Sequence, residues 1–236
     1  MEPESKELQT ELTDRLVMPW FEEAWIPIGP DWQKLWRLAD AQGGFFTNAE
    51  ARTCGVRRSL LSYYSRRGVF RRFRRGVYRL PWCEPTPLDA TRVAWMAAGR
   101  QRSVVSHASA LFLHGLIDDA PTAVHLTLPR ARRGKVHRWE PPYDPPRVEL
   151  HVPRGGVGTA DVTERHGIRV TTAPRSLLDT ARYRHGDEGL REAIVRAVEL
   201  ECVETAWLRE KARELRGMAR RRVEAALRVA AGGRAA

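Results

Sequence analysis

The chain has 236 residues, 42% of them hydrophobic and eight of them tryptophan, which excludes an intrinsically disordered protein and allows a sizeable core. Its formal net charge of +11 favours polyanionic partners. No apolar run of about 18 residues is present to span a membrane, and the acidic start MEPESKELQTELTD lacks a signal-peptide core.

Cys54, Cys83 and Cys202 have neither metal-ligand nor disulfide-framework spacing, so a reducing cytoplasm with no metal or cofactor is expected. Residues 1–30 carry seven acidic side chains against Lys6 and Arg15 and are punctuated by prolines. They read as an N-terminal extension. Asp31 then caps a helix through WQKLWRLADAQ, ended by Gly43-Gly44. Thr47 and Glu50 have capping-box spacing and start a short second helix. After a turn at Gly55, a third helix runs from Val56 to Arg67. Two strand-like runs, Val69 to Phe73 and Val77 to Leu80, are joined by Arg74-Arg75-Gly76 as a hairpin. Helix, helix, turn, helix and hairpin predict a winged helix-turn-helix over 31–83.

Pro81 to Pro87 marks a boundary, and 84–236 reads as a second domain. A helix is expected at about 87–100 and another in SHASALFLHG at 106–115. Strands are expected at Val124 to Leu128, Val148 to Val152 and 167–172, and a helix at 174–184. A helical tail follows from about 187. The fold class is α+β: an N-terminal winged helix-turn-helix, then a mixed α/β C-terminal domain with that tail.

Residues 51–83 hold ten arginines and no aspartate or glutamate. Arginine presents a planar five-donor fork that matches phosphate oxygens and guanine edges. On a helical wheel Val56, Leu60, Leu61 and Tyr64 share the inner arc. Arg58, Ser59, Ser62 and Arg66 lie opposite, with Tyr63 at the border, and this face is the one suited to a major groove. Arg57 lies nearer the apolar arc and reads as a phosphate or structural contact. Arg67 closes the helix. Arg71, Arg72, Arg74 and Arg75 surround the wing turn and suit a minor groove or a phosphate row. Arg130, Arg132, Arg133, Lys135 and Arg138 form a second basic patch in a loop.

The C-terminal residues offer less chemistry. His107 and His114 share a helix face. They read as structural, with Ser106 capping the helix and His114 helping to close it. Asp179 reads as a surface carboxylate paired with Arg175 or Arg182. Asp161 and Glu164 are expected to flank a turn. A nuclease would need clustered carboxylates and a lysine. Asp144, Glu149 and His151 supply no lysine. No glycine-rich nucleotide-binding signature is present, so no enzymatic activity is expected.

The wing RRGVFRRFRRGVYRL, the segment SHASALFLHGL, VHLTLPR with its basic loop and HGIRVTTAPRSLLDTAR follow one another in an order that resembles the AbiEi family of antitoxins. The resemblance covers roughly Trp32 to Arg184. It implies that the winged helix represses the protein's own operon by binding inverted repeats in double-stranded operator DNA. It also implies that the C-terminal domain antagonises a nucleotidyltransferase-like toxin in a type IV toxin–antitoxin (abortive infection) system, often without a stable complex. Residues 1–30 are extra relative to the pattern. The alternatives are a ligand-responsive winged-helix regulator without a toxin partner and a Vsr-like nuclease.

Overall fold

A computed structural model describes residues 29–129, 147–183 and 189–232. The N-terminal extension before residue 29, Asp144 and the basic patch from Arg130 to Arg138 lie outside them. The chain divides between Thr86 and Pro87 into two compact units.

The first unit is a winged helix-turn-helix. Helix α1, Trp32–Asp40, is capped by the Asp31 carboxylate, which accepts the Lys34 N–H at 2.8 Å. Strand β1, Phe45–Thr47, leads into α2, Asn48–Thr53. The capping box is complete: Thr47 Oγ1 accepts the Glu50 N–H at 3.2 Å, and Glu50 Oε2 accepts the Thr47 N–H at 2.8 Å. Gly55 makes the turn into α3, Arg58–Arg66, at φ +77°, and a Cβ there would meet the Pro30 backbone at 3.3 Å. Val56 precedes α3 rather than opening it. Strands β2, Arg71–Arg74, and β3, Val77–Arg79, form the wing around Gly76 at φ +82°.

β1 was not expected from the sequence. It pairs antiparallel with β3, Phe46 opposite Tyr78, giving the order β1-β3-β2. Three residues are too few to show a period, and only the tertiary partner makes them a strand. Leu35, Ala39, Phe46, Leu61, Phe70, Tyr78 and Leu80 fill the core beneath. Phe46 stacks on Tyr78 at 5.6 Å and meets Phe70 edge-on at 5.2 Å.

The second unit is a mixed sheet backed by helices. Its elements are α4 (Asp89–Ala98), β4 (Val104–Val105), α5 (His107–Leu113), β5 (Ala123–Thr127), β6 (Arg147–His151), β7 (Val162–Arg165), β8 (Ile168–Thr171), α6 (Ala173–Arg182), α7 (Leu190–Glu199), α8 (Thr205–Glu214) and α9 (Gly217–Gly232). The sheet order is β6-β5-β4-β8-β7, parallel at β5–β6 and β4–β8 and antiparallel at the other two pairs. Leu111, Leu177, Ile194, Leu208 and Val223 belong to one apolar cluster joining α5 to the tail helices.

Several residues of the second unit depart from what their local sequence suggests. Asp161 ends a short 3-10 turn and Glu164 lies on edge strand β7, which is too polar to announce itself. Asp179 is buried rather than on the surface, yet it pairs with Arg175 at 2.7 Å as its spacing suggested. Ser106 makes no side-chain cap; its hydroxyl lies 2.9 Å from His107 Nδ1. His107 and His114, which share a helix face in the sequence, meet different partners. His114 Nε2 lies 2.7 Å from the Thr171 carbonyl, while the His107 ring stacks on His151 at 3.6 Å.

Candidate nucleic-acid interface

The inner face of α3 is fixed by Leu61, which is buried, with Leu60 and Tyr64 half-buried beside it. That anchoring turns Arg58, Ser59, Ser62 and Arg66 to solvent, with Arg57 and Arg67 exposed at the two ends. Tyr63, at the border of the face, is 44% exposed. Arg57 stands at the N-cap in extended conformation, and no side chain caps the first turn. A helix N-terminus between two guanidinium groups presents N–H donors and positive potential to a phosphate. At the other end the Arg67 guanidinium lies 4.7 Å above the Tyr63 ring, and Arg66 Nε donates to the Ser62 carbonyl at 3.3 Å.

Among the described residues, Arg57, Arg58, Ser59, Ser62, Arg66, Arg67, Arg72 and Arg75 make no ion pair with a carboxylate. Among the described residues, the face is cationic and has no internal neutralisation. Polyanion binding there releases counterions rather than breaking native salt bridges.

The wing carries its arginines unevenly. The register shifts between Arg72 and Arg74, so Arg72 faces Tyr78 and Arg74 faces Val77. Arg71 and Arg72 are exposed on β2, and Arg75 is exposed in the turn. Arg72 Nε donates to the Arg74 carbonyl at 3.4 Å across the bulge. Arg74 is half-buried, and burial pushes its guanidinium down to about 10, which leaves it cationic at neutral pH.

Charge in the sequence does not separate Arg79 from its neighbours. The structure does: Arg79 is buried, donates to the Glu84 carbonyl at 2.6 Å and lies 4.9 Å above the Phe45 ring. Arg52 was not assigned a role from the sequence. It is exposed in the last turn of α2, the helix that precedes the reading helix. Its signal was present in the acid-free block, without a wheel to place it.

In the second unit, the nuclease candidate Glu149 is engaged by Arg147 at 2.7 Å and by the Tyr183 hydroxyl. Arg175 ties Asp161 and Asp179 together at 2.8 and 2.7 Å. Burial raises the Asp179 carboxyl, with Arg175 and then Arg182 opposing it. Asp118 accepts a two-pronged pair from Arg196 at 2.6 and 3.0 Å. No helix among the described residues is long and apolar enough to cross a membrane.

Residues 33–81 match a family model described as a transcriptional regulator, AbiEi antitoxin. Residues 103–229 match one described as the AbiEi antitoxin C-terminal domain. No curated protein matches the chain.

Proposed function

The chain belongs to the AbiEi antitoxin family, and from that premise we propose that it is the antitoxin of a type IV toxin–antitoxin system, acting in the cytoplasm and repressing its own operon. The observation that carries the repressor half is the exposed, acid-free face of α3 inside the segment that matches the regulator model.

In this reading α3 enters the major groove of double-stranded operator DNA. Arg58 and Ser59 reach base edges, and Ser62, Tyr63 and Arg66 extend the contact along the groove. Arg57, Arg67, Arg71, Arg72, Arg74 and Arg75 hold the flanking phosphates and set the register. Arg52 adds a phosphate contact from α2. Two copies on an inverted repeat double the footprint. The second unit antagonises a nucleotidyltransferase-like toxin without forming a stable complex, and the chain itself performs no catalysis.

Two experiments separate the halves. Gel shifts of the upstream promoter fragment across a salt titration test repression; binding indistinguishable from that to scrambled DNA would remove the repressor role. Co-expression with an adjacent nucleotidyltransferase-like gene tests the antitoxin role. Growth arrest that the full chain fails to relieve would remove it.

A further inference from the structure

His107, at the start of α5, His125, on β5, and His151, at the end of β6, come together in the second unit. One ring nitrogen from each lies within 4.8 Å of the other two. His125 Nδ1 and His151 Nε2 are 2.9 Å apart. The three rings are nearly parallel, with interplanar angles of 18–24°. Tyr183 stands across them at 75–83°. We propose that these three imidazoles form a binding site for a divalent transition-metal ion of the zinc type.

Three neutral nitrogen donors suit zinc and its neighbours, whereas magnesium and calcium take oxygen ligands. A tetrahedral site with bonds of 2.0–2.1 Å has nitrogens roughly 3.3 Å apart. The His125–His151 contact is slightly shorter because a shared proton joins the two rings. Metal entry requires no net proton loss at that contact, but it requires the stacked His107 and His151 rings to turn so that their in-plane lone pairs converge and the nitrogen separations of up to 4.8 Å close. Whichever ring donates the proton carries it on its other nitrogen instead, and both facing lone pairs are then free.

The surroundings are built to orient the donors. Thr127 Oγ1 donates to Ser106 Oγ at 2.8 Å, and Ser106 Oγ lies 2.9 Å from His107 Nδ1. With Nδ1–H directed at the serine oxygen, Nε2 is the ligating atom of His107, the arrangement in which an outer hydroxyl fixes a metal-bound imidazole. Ser109 Oγ accepts the His125 N–H at 2.9 Å and pins β5 to α5. His107 holds φ +53°, a left-handed conformation uncommon for a residue with a side chain. The same conformation turns its ring towards β6. His107 and His151 also line a cleft of about 360 Å³ with Asp179, Arg182 and Tyr183. A water or a small anionic group in the cleft completes the coordination.

The test uses the full chain, stripped with a chelator and titrated with zinc sulfate by calorimetry, and separately with cobalt(II). Saturable one-to-one zinc binding and the intense visible bands of tetrahedral cobalt are expected. His125→Asn and His151→Gln should each remove the bands. Ser106→Ala, which keeps all three imidazoles, should weaken zinc roughly 10–100-fold. Circular dichroism checks that each variant folds, and the wild-type cobalt spectrum decides the question if one does not. No saturable binding, a pale octahedral spectrum, or zinc binding unchanged in folded His125→Asn and His151→Gln overturns the site.

Discussion

Arg71 and Arg79 stand directly opposite each other on the antiparallel strands of the wing, two like charges in one cross-strand pair. Such a pair is ordinarily destabilising. Phe73 relieves it: the Arg71 guanidinium lies 4.9 Å and that of Arg79 5.8 Å from its ring centroid. Arg79 is also held by the Glu84 carbonyl, while Arg71 extends to solvent. The two arginines should therefore fail differently. Arg79→Ala is expected to cost about 1–2 kcal/mol in denaturant unfolding. Arg71→Ala should leave the unfolding midpoint in place and weaken DNA binding. Equal effects of both variants on stability would contradict the separation.

The reading helix and the wing should separate by specificity. Arg58→Ala is expected to cost roughly 1–3 kcal/mol on the preferred sequence and much less on scrambled DNA. Arg75→Ala should weaken binding to both by similar factors and reduce the slope of log K against log salt by about one. Fluorescence anisotropy on the two duplexes across a salt series measures both quantities. A specificity loss from Arg75→Ala larger than that from Arg58→Ala would reverse the roles.

The winged helix was legible because its signals are local. The Thr47–Glu50 capping box, Gly55, the α3 wheel and the Arg74-Arg75-Gly76 turn each act within a few residues. The strands that the sequence hid are those whose identity depends on a distant partner. β4 has two residues, and β7 is polar along most of its length. The histidine cluster was hidden for the same reason. Helical spacing sets His107 beside His114, whereas its ring meets residues from β5 and β6. The parallel β5–β6 pairing that aligns Thr127 with His151 has no trace in local spacing. Arg79 looked like its neighbours because composition carries no burial.

Arg175 is the electrostatic tie between α6 and the turn before β7, bridging a buried carboxylate and a more exposed one. Arg175→Met should leave the buried Asp179 with only the longer, more exposed Arg182 contact at 3.6 Å, at a cost of up to about 3 kcal/mol. Asp161→Ala removes only the more exposed partner and should cost less than about 1 kcal/mol. Adding Asp179→Asn to Arg175→Met should recover part of the loss, because no buried charge then remains. Chemical denaturation of the four proteins checks the order. An Asp161→Ala variant as damaged as Arg175→Met would show that the outer pair carries the tie.

Acid should weaken the second unit before the first. Burial pushes His107 down to about 2, helped by His151, His125 and Arg175. Burial also takes His125 to about 4, with His151 and then Arg147 adding to it, and His151 to about 4 against the pull of Glu149. His114 is lowered by burial despite its bond to the Thr171 carbonyl, and Arg165 adds to the shift. Above the ordinary value of 6.5 both folded and unfolded imidazoles are neutral, so the stability they permit is fully present. Below 6.5 the unfolded chain takes up protons that the folded chain refuses, and stability falls until the folded values are reached. Between 6.5 and about 4 the loss should approach about 3 kcal/mol for His125 or His151 taken singly, and less than twice that for the pair because each ring's shift depends on the other. The first unit contains no histidine and provides an internal reference. Thermal unfolding of the chelator-treated chain over that pH range, followed through Trp95 and Trp207 in one unit and Trp32, Trp36 and Trp82 in the other by single-unit tryptophan replacement, should show only the second transition moving down. His125→Asn should shallow its slope. A second transition that stays level as pH falls would mean that these imidazoles are not held neutral in the fold.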